Sequence, residues 1–243
     1  MTVAAVVIAR TAGDALRPVG GVSAARHVAD AAWAGGAMPI VVVAPDPDGA
    51  VAASLAGSAA DLVAPPEGPA PSPGDPASRP ASPAGIPAAV LDASTGEGPG
   101  PVARGVHAAV DRVGETTAVL VWPMSMAWVD AATVTALLEA HASAPDSVIR
   151  PTWEGAAGWP TLVPIALLAD PGTLAGVPDP GALLDALERR GATVRTLDLG
   201  DPGVTLSTDT ARADLPAYAG PDQPVTGHPP DWGADVARVA PER

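Results

Sequence analysis

The 243-residue sequence contains no cysteine, no lysine and no phenylalanine. The absence of cysteine excludes disulfide bonds, thiolate nucleophiles and zinc sites built from thiolates. The absence of lysine excludes chemistry that needs a side-chain amine. Aromatic residues make up only 3% of the chain, so the core must consist mainly of Val, Leu, Ile and Ala. Side chains of this size require broad sheet and helix faces to bury enough surface.

Positive charge is also scarce. All 13 positive residues are Arg, and 27 Asp and Glu residues outnumber them, which gives a net charge of −14. An electrostatic field of this sign repels nucleic acid and anionic membrane surfaces. We therefore expect neither nucleic acid nor a membrane among the partners.

The apolar run at residues 3–9 has no basic segment before it and is too short for a signal peptide or a membrane span. We therefore expect a cytoplasmic protein. The four His residues show no metal-ligand spacing, so the sequence assigns no metal site.

The chain does contain a regular alternation of strand and helix patterns. Five short apolar runs predict strands that are buried on both faces, at residues 3–9, 39–44, 117–122, 147–153 and 192–199. Ser23, Asp130 and Asp179 are predicted to cap three helices. In the second of these helices His141 continues an apolar stripe, which indicates a packed structural side chain. The alternation predicts an α/β fold with three layers, a mostly parallel sheet and helices on both faces.

We expect one domain over residues 1–219. Residues 65–87 contain nine prolines, which prevent helix continuation and sheet pairing, so this segment is predicted to be a loop within the domain. Residues 220–243 have a similar Pro and Gly content and are predicted to be a C-terminal tail.

The segment after the first predicted strand contains Ala9, Arg10, Thr11, Gly13 and Arg17. At the carboxyl edge of an α/β sheet, backbone N–H groups and an Arg can hold phosphates. Because Gly and Ala are common throughout this chain, the segment is compatible with a plain turn as well as with a phosphate-binding loop.

Several segments resemble, in the same order and over nearly the whole chain, the MobA-like nucleotidyltransferases, especially the branch that attaches CMP or GMP to molybdopterin. Residues 118–129 are similar to the family's strand ending in Asp-x-Pro, which holds the catalytic Mg²⁺. Residues 149–160 are similar to its Pro-x-aromatic-x-Gly…Gly-His-Pro hairpin, and residues 201–215 look like its closing Asp-Thr-Pro-Glu-Asp-Leu element. Weaker likenesses are found at residues 6–17, 20–43 and 102–106.

The resemblance implies a Rossmann-like nucleotidyltransferase fold. It also implies that the loop residues named above bind a nucleotide. The residues implied at the cleft are Ser125, Trp153, Gly158, Trp159 and Asp209.

The sequence departs from the family pattern at the positions that carry the chemistry. Ser125 stands where the family has its metal-binding Asp, Ala127 replaces the following Pro, and Ser207 replaces an Asp. The Lys of the family's phosphate loop has no counterpart. A neutral hydroxyl does not neutralise and orient Mg²⁺ as a carboxylate does, and nucleotidyl transfer depends on such positioned charge. The resemblance therefore implies a degenerate metal and triphosphate site.

Other side chains leave alternatives open. Four carboxylates remain as candidates for metal contact: Asp130, Glu154, Asp209 and Asp214. Asp130 is explained more simply as a helix cap and Asp214 as a surface charge. Arg10 and Arg17 either take the place of the missing Lys or are ordinary surface residues. Four Trp side chains fill the core or an interface, close the cleft, or contact an aromatic ligand; these are Trp122, Trp128, Trp153 and Trp159.

Two functional hypotheses follow. In the first, the protein is a non-catalytic relative that binds a nucleotide, a small metabolite or a protein partner. In the second, it is an active nucleotidyltransferase that moves CMP or GMP from CTP or GTP to a phosphorylated cofactor precursor such as molybdopterin. Only the second hypothesis requires a cofactor, Mg²⁺, and the missing carboxylate and Lys favour the first.

Overall fold

The structure, a computed structural model, describes residues 2–63 and 99–220. The predicted proline-rich loop and residues 221–243 of the predicted tail lie outside these ranges. The strands are β1 Thr2–Ile8, β2 Pro18–Val19, β3 Val22–Ser23, β4 Ile40–Val43, β5 Ala60–Val63, β6 Thr116–Pro123, β7 Val148–Trp153, β8 Ala156–Ala157, β9 Thr161–Pro164 and β10 Val194–Asp198. The helices are α1 Ala12–Leu16, α2 Ala24–Ala34, α3 Ala50–Leu55, α4 Pro101–Arg112, α5 Ala131–Ser143, α6 Pro171–Leu174 and α7 Pro180–Arg189. Within the described ranges no helix has the length and apolar composition that a bilayer crossing requires.

The main sheet has the strand order β10-β7-β9-β6-β1-β4-β5, and the short β8 pairs with β7. Neighbours on this path are parallel except β9, which runs antiparallel to both β6 and β7. The prediction of a mostly parallel sheet is confirmed. The sequence did not indicate β9 because this four-residue strand begins directly after Pro160 and ends at Pro164, which leaves no clear apolar pattern.

Helices cover both faces of the sheet, as predicted. Along β1, Val3, Ala5 and Val7 belong to one core cluster, which also contains buried side chains of α2, α3 and α5. The intervening residues, Ala4, Val6 and Ile8, belong to a second cluster with α4, α6 and α7. This strict alternation of faces is the geometry of a strand buried on both sides.

The three predicted helix caps are confirmed. The Ser23 hydroxyl accepts a hydrogen bond from the Arg26 N–H at 3.1 Å, at the start of α2. The Asp130 carboxylate accepts from the Ala132 N–H at 2.8 Å, and the Asp179 carboxylate accepts from the Ala182 N–H at 2.9 Å. Each bond satisfies an N–H that the first helical turn leaves without an intrahelical acceptor.

His141 lies inside the protein, with 1% of its surface exposed, and neither ring nitrogen has a hydrogen-bond partner among the described residues. Burial lowers the pKa of His141 below its usual 6.5, and the negative charge of Asp146 opposes this shift only in part. The folded state therefore binds a proton less readily than the unfolded state, so stability is lost as the pH falls below about 6.5.

When the pH is lowered from about 8 to about 5, we expect the melting temperature of His141→Met to fall by less than that of the wild type. His107→Met is the matched control, because His107 is exposed on α4. Scanning calorimetry at the two pH values measures the difference. Equal pH dependence in the wild type and in His141→Met would contradict the prediction.

Candidate functional site

A cavity of about 770 Å³ opens at the carboxyl edge of the sheet. Its described lining comes from the ends of β1, β4 and β6, from the start of α4, and from residues 176–181 around the start of α7. In parallel α/β sheets ligands bind at this edge, where loops from several strands converge. The cavity is therefore the candidate ligand site.

The loop after β1 contributes Ala9, Arg10 and Asp14 to the lining. Two of its backbone N–H groups donate hydrogen bonds within the loop. The Thr11 N–H donates to the Asp14 carboxylate at 3.2 Å, and the Asp14 N–H donates to the Thr11 hydroxyl at 3.0 Å. This reciprocal pair is a capping box for α1. The Asp14 carboxylate thus accepts a hydrogen bond from the Thr11 N–H, a donor that a phosphate-binding loop would leave available for its ligand.

Both arginines of this segment have carboxylate neighbours. Arg10 lies 3.7 Å from Asp14, and its side chain is exposed. Arg17 donates a hydrogen bond of 2.7 Å to Asp209. The positive charge near the loop is therefore balanced by carboxylates of the same chain.

The structure brings Ser125, Arg17 and Asp209 into one region. Ser125 is exposed and lines the cavity at the end of β6. Its carbonyl oxygen accepts a hydrogen bond of 2.7 Å from the Thr208 N–H, which holds the segment before Asp209 beside β6. The resemblance placed Ser125 and Asp209 at a common cleft, and this hydrogen bond shows that the two segments do meet.

No group of three or more His, Asp or Glu side chains within residues 2–63 and 99–220 is arranged to hold a metal ion. Asp209 is paired with Arg17, and Asp130 caps α5. Glu154 lies exposed in the turn between β7 and β8, and Asp214 lies exposed near the end of the described chain. The residues present therefore do not fit the carboxylate set that Mg²⁺ requires.

Trp153, Gly158 and Trp159 do not line the cavity and lie around β7 and the start of β9. Trp153 packs partly buried against the first core cluster, and Trp159 contacts both clusters. Gly158 is buried, and a Cβ atom there would overlap the carbonyl group of Val204. Gly158 thus permits a close approach of two backbone segments.

Trp122 and Trp128, the other two tryptophans singled out from the sequence, have structural contacts. Trp122 is fully buried and donates from Nε1 to the Met126 carbonyl at 2.8 Å, whereas Trp128 is partly buried and donates to the Thr210 carbonyl at 3.1 Å. The described residues that line the cavity include no Trp, so no Trp side chain among them closes it.

Asp201 supports the segment that passes beside Ser125. Its side chain is 2% exposed and accepts hydrogen bonds from the Asp130 N–H, the Thr133 hydroxyl and the Gly203 N–H at 3.0, 2.6 and 2.8 Å. Burial raises the pKa of the Asp201 carboxyl, and the three hydrogen bonds oppose that rise. The buried side chain thereby joins the start of α5 to the turn at residues 202–204.

Several parts of the cavity were not predicted from the sequence, among them the carboxylate of Asp14, the mostly buried Arg104 of α4, and residues 176–181. The spacing of Thr11 and Asp14 is that of a capping box, so this spacing could have indicated the position of the Asp14 carboxylate. Arg104 lies within the segment 102–106 for which a family likeness was noted. Residues 176–181 carry no pattern that places them beside β6.

Comparison with known proteins gives a consistent picture of the fold. The model of the MobA-like NTP transferase domain matches residues 14–192. No curated protein sequence matches the chain significantly. Rv0371c of Mycobacterium tuberculosis H37Rv, solved as a complex with manganese, superposes with a TM-score of 0.60 at 14% identity, covering 88% of this chain and 98% of the other.

Two further solved structures have similar folds. The CMP:2-keto-3-deoxy-manno-octonic acid synthetase complexed with CTP gives a TM-score of 0.53 at 12% identity, with coverage of 82% and 90% of the two chains. The 2-C-methyl-D-erythritol 4-phosphate cytidylyltransferase of Thermus thermophilus gives a TM-score of 0.51 at 18% identity, with coverage of 88% and 96%. At these identities the likeness establishes the fold alone.

Proposed function

The chain belongs to the MobA-like NTP transferase domain family, and we propose that it is a non-catalytic member, which binds a small ligand in the cavity without metal-dependent nucleotidyl transfer. The observation that carries the proposal is the charge balance at the loop after β1. Arg10 and Arg17, the cations of this loop segment, are neighbours of Asp14 and Asp209. A triphosphate would have to compete with two carboxylates that are already in place.

The competition sets the expected strength of binding. Exposed ion pairs contribute only about 0–1 kcal/mol, so a phosphate can displace them. The displaced carboxylates nevertheless stay close to the ligand and repel it. Nucleotides should therefore bind weakly to this cavity, and a less charged metabolite is the better candidate ligand.

The site also lacks the positioned charged groups that nucleotidyl transfer requires. Nucleotidyl transfer needs positive charge held beside the triphosphate and its leaving pyrophosphate, and a metal ion would supply that charge only where carboxylates hold it. Ser125 offers a neutral hydroxyl at the end of β6, and the carboxylate of Asp209 is engaged with Arg17. Neither side chain supplies a free carboxylate for the ion.

The first test is a nucleotide titration of the full chain. We expect CTP, GTP, ATP and UTP, each at millimolar concentration with Mg²⁺, to raise the melting temperature by less than about 2 °C, whereas saturation to 100 times the dissociation constant would add about 5–10 °C. We also expect no Mg²⁺-dependent release of pyrophosphate in the presence of phosphorylated acceptors. A large shift with one base only, lost in Arg17→Ala, together with Mg²⁺-dependent release of pyrophosphate would establish the active transferase instead.

A second test changes the charge of the loop. Asp14→Asn keeps an oxygen that can accept from the Thr11 N–H but removes the negative charge, so nucleotide affinity should rise roughly fivefold, the equivalent of about 1 kcal/mol of Coulomb repulsion at 4 Å in water. Asp111→Asn is the matched control, because Asp111 is exposed near the other end of α4. An equal gain in both variants would show that only the net charge of the protein matters.

A further inference from the structure

A second cavity, of about 420 Å³, is lined by residues of α2, by residues 128–131 at the start of α5, and by the later segments 201–203 and 212–218. We call it the α2–α5 cavity. No described residue lines both this cavity and the one at the carboxyl edge of the sheet. The α2–α5 cavity is therefore a separate candidate site, and it has room for a small organic molecule.

The walls of the α2–α5 cavity are rich in rings. Trp128 and Tyr218 both line it, although the whole chain contains only six Trp and one Tyr. The ring of His27 meets the ring of Trp128 edge-on, with 6.2 Å between the two centroids. Val129 and Leu215 add aliphatic surface to the lining. Such walls suit the apolar part of a small ligand, and an aromatic ring in particular.

The lining contains one positive charge without an acidic partner. The guanidinium carbon of Arg212 lies 5.6 Å from the centroid of the Trp128 ring, and no described carboxylate lies at ion-pair distance from this guanidinium. The N–H donors of a guanidinium form a planar fork that matches a carboxylate. His27 adds no second charge at neutral pH, because burial and the charge of Arg212 lower its pKa below the usual 6.5, and Asp30 opposes this shift only in part.

Three carboxylates line the same cavity, and two of them already have their hydrogen-bond donors. Asp30 accepts hydrogen bonds from Arg26 Nε with both oxygens, at 2.9 and 2.8 Å. Asp201 is buried and accepts from three donors. Asp130 is exposed and caps α5 with one oxygen, whereas its other oxygen has no hydrogen-bond partner among the described residues. Asp130 is therefore the carboxylate that can accept a hydrogen bond from a ligand.

The charges of Arg212 and Asp130 together select the class of ligand. A simple anion would bind Arg212 but would be repelled by Asp130, and a simple cation would be attracted and repelled the other way round. A molecule with both an ammonium and a carboxylate group can form a charge-assisted hydrogen bond to each side chain. It also adds no net charge to a chain that already carries −14.

We propose that the α2–α5 cavity binds a free α-amino acid with an aromatic side chain. The carboxylate of the ligand binds Arg212, its ammonium group binds Asp130, and its ring packs against the walls around Trp128 and Leu215. A free amino acid is preferred to a peptide because only the free molecule carries both charges on one residue. The proposal does not depend on what the cavity at the carboxyl edge of the sheet binds.

Titration calorimetry of the full chain, at neutral pH and constant ionic strength, tests the proposal with phenylalanine and two analogues. Phenylpropionate lacks the amine, and phenethylamine lacks the carboxylate. We expect saturable binding of phenylalanine, and each analogue should bind more weakly by roughly tenfold or more, because it loses a charge-assisted hydrogen bond. Glycine keeps both charges but lacks the ring, so it should also bind more weakly by roughly tenfold.

Two variants assign each charge to its side chain. Arg212→Met keeps an apolar stem beside Trp128, and it should weaken phenylalanine binding by roughly tenfold or more without weakening phenethylamine binding. Asp130→Asn keeps an oxygen that can cap α5, and it should weaken phenylalanine binding without weakening phenylpropionate binding. The matched controls are Arg195→Met and Asp185→Asn at exposed positions, which should change the affinity for phenylalanine by less than about twofold.

Three results would overturn the assignment: no saturable binding of phenylalanine by the wild type, an analogue or glycine that binds as tightly as phenylalanine, or equal phenylalanine affinities of Arg212→Met and Arg195→Met. The last result would mean that the amino acid binds outside the α2–α5 cavity. The nucleotide titration examines a different cavity, since neither Arg10 nor Arg17 lines this one. Either proposal can therefore fail without the other.

Discussion

Replacing Asp201 with alanine should lower the melting temperature by roughly 6–12 °C. The substitution leaves three hydrogen-bond donors without their acceptor: the Asp130 N–H, the Thr133 hydroxyl and the Gly203 N–H. Each donor left unsatisfied inside the protein costs about 1 kcal/mol or more, so the free energy of unfolding should fall by about 3 kcal/mol or more. Scanning calorimetry or denaturant unfolding measures the loss.

Asp185→Ala removes the same charge from an exposed position on α7 and should change the melting temperature by less than about 2 °C. Asp201→Asn keeps one acceptor oxygen, so its melting temperature should lie between those of the wild type and Asp201→Ala. Similar melting temperatures for Asp201→Ala and Asp185→Ala would show that the three donors find other partners. In that event Asp201 would not hold the segment beside Ser125 in place.

Gly158→Ala should destabilise the protein by about 1–3 kcal/mol through overpacking. The added Cβ atom would overlap the Val204 carbonyl group, which is backbone and cannot rotate away as a side chain can. Moving it would also strain two hydrogen bonds of 2.8 Å, from the Trp159 N–H to Val204 and from the Gly158 N–H to Pro151. Urea unfolding gives the change in free energy directly.

The control for Gly158→Ala is Gly114→Ala, because a Cβ atom at Gly114 meets no atom within 4 Å. The control should be neutral or slightly stabilising, since alanine restricts the unfolded chain. If Gly158→Ala were as stable as the wild type, the backbone at Val204 would be able to move away from the added Cβ atom at little energetic cost.

Much of the fold was predictable because its signals are local. The run at residues 3–9 became β1, and Ser23, Asp130 and Asp179 cap the helices that follow them. Periodicity and capping depend on residues within one or two turns of each other, so a single sequence carries them. The antiparallel strand β9 was not predictable, because its length and its prolines hide the pattern.

The candidate site was predictable only in part. The loop after β1 and the position of Ser125 follow from their place at the ends of strands, and both lie at the cavity. The roles of Trp153, Gly158 and Trp159 at a ligand remain predictions, and the structure places them in packing and backbone contacts. Asp14 was overlooked as part of the loop, although its spacing from Thr11 is a recognised helix-start signal.

The sequence by itself determined the class of the fold, the excess of negative charge and the absence of thiol and amine chemistry, because composition and short-range periodicity suffice for these. Only the tertiary structure decided that Arg17 is paired with Asp209, 192 residues away, and that the Thr208 N–H donates to the Ser125 carbonyl. Both contacts depend on which strands become neighbours in the sheet and on where the chain returns after β10. That order is set by the packing of the whole molecule, and no pattern within a single strand or loop contains it.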